Sequence, residues 1–203
     1  MTHFIVGIIT EEGPNSNYEE CLADLLEPYN ENTKVEPYVY RTKEEIIENE
    51  KKRKTEIIEA REKGESYYVD KSMEEPYFTA ETDEDFYNLG RGETRDYDED
   101  GNELSTYNPN SKWDWWVIGG RWSGYFNGED SITIGEYKKI LSDDNIPWAV
   151  IGPDGVWQEQ GQMWWFALND ATEESTECFK DSFKDLIDST PDDWYITAVD
   201  CHI

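Results

Sequence analysis

Residues 108–126 hold the densest binding chemistry in the chain: Trp113, Trp115, Trp116 and Trp122, with Lys112, Arg121 and the pair Gly119–Gly120. Indole faces stack on planar rings at ~1–3 kcal/mol each, and a guanidinium forks onto phosphate or carboxylate. Paired glycines let a backbone approach another surface closely. Lys112, Trp113, Trp115, Trp116, Arg121 and Trp122 are therefore candidate ligand-binding residues for a nucleotide-like small molecule. The pattern equally suits a plainer role. Trp113, Trp115 and Val117 alternate with Asp114 and Trp116 as in a strand with one buried face, and two glycines can close such a strand as a turn.

The two histidines, His3 and His202, stand near opposite ends of the sequence. A last strand would place Asp200 and His202 on one face, and a first strand beside it would bring in His3. Such a cluster of His3, Asp200 and His202 could ligate a divalent metal or act as acid and base. Cys201 falls on the opposite face, which argues against a Cys201–His202 nucleophile and base pair. Asp96, Asp98 and Asp100, followed by Gly101, match the first half of a calcium loop. Tyr107 then stands where a bidentate Glu belongs, and a hairpin turn at Asp100–Asn102 explains the same residues. The sequence has no nucleophile elbow, phosphate-cradling loop, paired-cysteine spacing or zinc-protease helix, and none of its patterns implies a cofactor.

Residues 3–10 read as a buried strand, followed by a helix opened by Ser16 and Glu19 as a capping box, with Cys21 on its apolar face. Residues 35–41 read as an edge strand because of Pro37. Thr42 and Glu45 cap a long helix to about Lys63, whose pairs Ile46–Ile47 and Ile57–Ile58 lie about three turns apart on one face. Lys51, Lys52, Arg53 and Lys54 form the one basic cluster, suited to an anionic ligand or to neutralising nearby carboxylates. A hairpin turns at Pro153–Gly155, residues 162–168 add Trp164 and Trp165, a helix spans about 172–188, and a strand ends the chain. This order predicts an α+β fold, a ferredoxin-like split βαβ antiparallel sheet with helices on one face and a large Trp/Tyr-rich insertion. The expected divisions are a core part at 1–63, an insertion at 64–146 that carries the Trp motif, and a completing part at 147–203. Right-handed crossovers would set the first and last strands side by side and antiparallel, making His3 and His202 neighbours.

The residues Ser105–Pro109, Trp113–Trp115 and Gly119–Trp122, and more weakly Val199–His202, resemble a family of uncharacterised bacteriophage and bacterial proteins. The resemblance brings no activity with it. It implies only a setting, that of counter-defence or host take-over.

Forty-seven acidic residues against 18 basic ones give a net charge of −29, which repels nucleic acid and anionic membranes. Cys21, Cys178 and Cys201 are odd in number and scattered, the usage of a reducing compartment. No apolar run approaches ~20 residues. The expectation is a soluble cytoplasmic protein, in the host cytoplasm if phage-encoded, with room for a homodimer across an exposed sheet face. Three functions follow in order: a non-catalytic binding protein with a Trp/Arg pocket for a nucleotide-like molecule, an acidic DNA mimic that occupies a basic host protein, and a hydrolase using His3 or His202, with or without a metal.

Overall fold

Hydrophobic runs that are buried on both faces belong in the middle of a sheet. The computed structural model, which describes residues 2–163 and 168–203, places two such strands there. In chain order the elements begin with β1 (His3–Thr10) and α1 (Tyr18–Leu26). Next come β2 (Tyr38–Arg41), α2 (Lys43–Glu62), α3 (Glu75–Thr79), α4 (Asp83–Gly90), β3 (Asp96–Tyr97) and β4 (Glu103–Ser105). The chain continues with β5 (Trp115–Ile118), β6 (Ser131–Thr133), α5 (Ile134–Ile140), β7 (Ala149–Ile151), β8 (Trp157–Glu159), α6 (Glu173–Ser189) and β9 (Tyr195–His202). The fold is mixed α and β, and the chain divides into two compact units, one of residues 1–34 and 107–203 and one of residues 35–106.

The first unit is built on a six-stranded sheet of order β5-β9-β1-β7-β8, with β6 beside the first half of β9. The expected pairing of first and last strands is present: β1 and β9 are antiparallel, with His3 opposite His202 and Thr10 opposite Tyr195. The expected all-antiparallel sheet with helices on one face is not. β1 runs parallel to β7, so the sheet is mixed, and helices cover both faces. The cause is β5, which pairs with β9 on its far side. The crossover from β1 through α1 to β5 moves one way along the sheet, and that from β6 through α5 to β7 moves the other way. Right-handed crossovers in opposite directions put their helices on opposite faces.

The two cores follow that division. Tyr18, Leu22 and Leu26 of α1 pack on Phe4, Val6, Ile8, Val199 and Cys201. Phe179, Phe183 and Ile187 of α6, with Tyr137 of α5, pack on Ile5, Ile9, Val150, Ile196 and Ala198. Burying each such side chain stabilises the fold by ~1.5–3 kcal/mol. The spacing of Tyr18, Leu22 and Leu26 fixes which side of α1 faces inward, and it leaves Cys21 exposed rather than in the core. Ser16 and Glu19 form no capping box, since α1 begins at Tyr18 after Asn17.

The second unit holds the three-stranded sheet β2-β4-β3 and helices α2 to α4. Its limits differ from the expected 64–146 insertion at both ends. The long helix α2 belongs to it because Ile46 and Ile57 turn inward there, with Gly90 of α4 so close that a Cβ would lie 2.6 Å from Ile46. The Trp motif does not belong to it, because β5 is part of the large sheet. Thr42 and Glu45 form the expected capping box on α2. Three of the four residues of the basic cluster serve carboxylates or a carbonyl. Lys51 pairs with Asp83 at 2.5 Å, Arg53 with Glu50 at 2.8 Å, and Lys54 donates to the Ala80 carbonyl. No described helix is long and apolar enough to cross a membrane.

Candidate functional site

Register decides which side chains meet at the end of the large sheet. His3 is opposite His202, His202 is opposite Trp115, and Asp200 is opposite Ile5 and Val117. Directly paired residues share a face, so His3, His202, Asp200 and Trp115 all project from the face that α5 and α6 cover further along. The two imidazole rings lie 5.0 Å apart, inclined at 65°. The exposed Trp115 ring stands edge-on to His3 at 6.2 Å.

Each ring is held by its own carboxylate. His3 Nδ1 is 2.8 Å from Asp200 Oδ1, and His202 Nδ1 is 2.5 Å from Asp114 Oδ1. An ionised carboxylate only accepts hydrogen bonds, so beside ionised Asp200 and Asp114 Nδ1 carries the hydrogen in both rings. His202 Nε2 is buried and has no hydrogen-bond partner among the described residues. Asp200 is itself buried, and its second oxygen accepts the backbone N–H of Arg121 at 3.0 Å.

Glycines 119 and 120 make that last contact possible. Their φ angles are +67° and +54°, in the left-handed region, and they swing the chain from β5 into the short turn Gly120–Trp122. A Cβ on Gly120 would lie 2.5 Å from both Cβ and Oδ2 of Asp200. The surface that the glycine pair approaches is therefore this carboxylate.

The tryptophans disperse. Trp113 is buried in the α1-side core, with its indole N–H donating to the Leu26 carbonyl at 3.0 Å. Trp116 packs against the same core, and Trp122 packs against the core on the opposite face. Lys112 is engaged with Glu159 at 2.6 Å. Of the candidate ligand-binding residues, Trp115 and Arg121 remain exposed, one beside His3 and the other joined through its backbone to Asp200. Trp164 and Trp165 lie outside the described residues.

Among the described residues no group of three or more His, Cys, Asp or Glu side chains could hold a metal ion, which bears on both candidate sets. Asp98 serves the turn between β3 and β4: it accepts the Asn102 side-chain amide and the N–H groups of Asn102 and Asp100. These bonds, that of the Asn102 side chain foremost, hold its carboxyl below the usual range. Cys201 faces the α1-side core, where burial pushes its thiol well above its ordinary value and keeps it from acting as a nucleophile.

Sequence reading brought His3, Asp200 and His202 together but missed Asp114 and the backbone N–H of Arg121. The one signal for Asp114 was its position as the lone carboxylate among the tryptophans. Its meaning depended on β5 pairing with β9. Compared with known proteins, the chain matches no protein-family model, no curated protein and no solved structure.

Proposed function

We propose that the chain is an acid–base catalyst that cleaves a phosphate-ester bond of a nucleotide-like substrate at His3 and His202. The supporting observation is that the two histidines of the chain lie ring against ring, each with Nδ1 held by a separate carboxylate. Leaving a buried nitrogen such as His202 Nε2 unpaired costs ~1–3 kcal/mol. That cost is understandable where the atom has chemistry to perform. In the reaction, one neutral ring takes a proton from the attacking water and the other, protonated, gives one to the leaving oxygen. Asp200 and Asp114 fix the tautomers and stabilise whichever ring is cationic. Trp115 offers a face for a base and Arg121 a partner for phosphate. The nucleotide-binding reading thus narrows from six residues to two, and the resemblance to phage proteins makes nucleotide signals of host immunity the first substrates to try.

The test is incubation with a panel of linear and cyclic nucleotides, with products read by mass spectrometry. Each of His3→Gln and His202→Gln should lower the rate ~10²–10⁴-fold while substrate binding persists. Nucleotides that bind and are recovered intact would overturn catalysis in favour of a non-catalytic pocket.

A second reading, the acidic mimic, draws on α6. Its exposed Glu173, Glu177, Asp181, Asp185 and Asp188 are spaced by four, four, four and three residues, which aligns them along ~22 Å of one helix side. It predicts a complex with a basic host protein that weakens steeply with salt and is indifferent to His3→Gln.

A further inference from the structure

We propose that the large-sheet unit carries a second binding site, for a small aliphatic polyamine, at the carboxyl end of β1. A cavity of about 670 Å³ lies there, bounded by the loop after β1, the first turns of α1, Pro153 and Trp194. β1 ends here in the loop that leads to α1, and its parallel neighbour β7 ends in the hairpin turn to β8 that carries Pro153. His3 sits at the other end of β1, ~23 Å away at ~3.3 Å per residue, so this site is independent of the proposed catalytic pair.

The lining sets the class of ligand. Ile9, Leu25 and Pro153 give apolar walls, Trp194 gives an indole, and Glu11, Glu12, Glu20 and Asp24 give four carboxylates. No lysine or arginine lines the cavity, and none of these four carboxylates is in an ion pair among the described residues. Anions such as nucleotides are repelled from such a cavity. A metal ion is not favoured either, since the carboxylates do not converge into a group able to hold one. A flexible chain of methylenes carrying several ammonium groups fits both facts. It meets the carboxylates one at a time, lays its stem on Leu25 and Pro153, and can set an ammonium over the indole.

The walls are already fixed. Thr10 Oγ donates to the Glu12 carbonyl at 2.8 Å, and Asn15 donates to the Glu12 carboxylate at 3.2 Å. The Tyr18 hydroxyl bridges Thr10 and Thr197. Gly13 lies so close under the Tyr195 ring that a Cβ would be 2.4 Å from it. A loop tied down in this way loses little entropy when a ligand enters.

The experiment is calorimetric titration of the full chain with spermidine, and with magnesium chloride as a separate probe, at fixed ionic strength. Saturable spermidine binding is expected. It should weaken about tenfold or more in the double variant Glu11→Gln/Glu20→Gln and stay unchanged in Asp181→Asn/Asp185→Asn, which removes the same charge from the outer side of α6. Thermal melting of both variants establishes that they fold, and single variants Glu12→Gln and Asp24→Asn replace the double one if it does not. Equal weakening in both double variants would mean a general polyanion effect and would overturn the site, as would absence of saturable binding or tighter binding of magnesium than of spermidine.

Discussion

Buried carboxylates occur in both compact units, but their partners differ. In the unit of residues 35–106, Glu50 is held by Arg53 and the Tyr77 hydroxyl, and Glu103 by Arg41 and Arg95. Glu74 there accepts the Ser66 hydroxyl and the N–H groups of Tyr67 and Tyr68. These donors keep their character at any working pH. In the large-sheet unit, buried Asp200 and half-exposed Asp114 are each matched to an imidazole, the side chain that exchanges a proton near neutrality. A carboxylate held by arginine or backbone is part of the scaffold. One held by histidine has a partner whose charge can change during use.

The largest effect expected from this contrast lies in the apolar layers of the sheet unit. Phe183 is fully buried between α6 and the sheet, and Phe183→Ala should cost ~3–5 kcal/mol in urea unfolding. Glu103→Gln should cost less, ~1–3 kcal/mol, because its two arginines are partly exposed and recover water. A larger loss for Glu103→Gln than for Phe183→Ala would reverse the ranking of apolar layers over ionic contacts.

The same residue gives the pH dependence. Burial pushes the Glu103 carboxyl up, but its bonds to Arg95 and Arg41 outweigh burial and leave it below its ordinary 4.5. Its contribution is therefore complete above about pH 4.5 and is lost as the pH falls through the lowered value. Acid unfolding monitored in wild type and Glu103→Gln should show a shallower decline below pH 4.5 in the variant. Parallel declines would remove Glu103 from the account of acid sensitivity.

The most local effect is expected at Gly120. Gly120→Ala places a Cβ at positive φ, at a cost of ~1–2 kcal/mol, and 2.5 Å from Asp200, an overlap that adds ~1–3 kcal/mol. It should displace the Arg121 N–H and shift the imidazole proton resonances of His3, which are easily assigned in a chain with two histidines. Unchanged His3 signals would show that the glycine turn does not hold Asp200 in place.

Several local signals of turns and caps were legible, although the Ser16–Glu19 capping box was not among them. Pro153–Gly155 does join β7 to β8, Thr42 does cap α2, and Ile46 and Ile57 do share a buried face. The adjacency of His3 and His202 was also legible, because handedness leaves few places for a last strand. Tertiary information was not legible. Nothing local states that β5 pairs with β9, and that pairing assigns Asp114 to His202, sends α1 to the opposite face and separates Trp113 from Trp115. Cys21 was misplaced for a similar reason: it lies one position off the Tyr18–Leu22–Leu26 row, and packing chose that row.

The pairing of β1 with β9 also bears on how the chain is made. Its contacts join residues nearly the whole sequence apart, with His3 opposite His202, a separation that slows folding. While the ribosome is still making the intervening residues, β1 is an apolar strand with an open edge, and such edges template aggregation. Cells producing this protein should therefore show their heaviest demand for chaperones before residues 195–202 have been added.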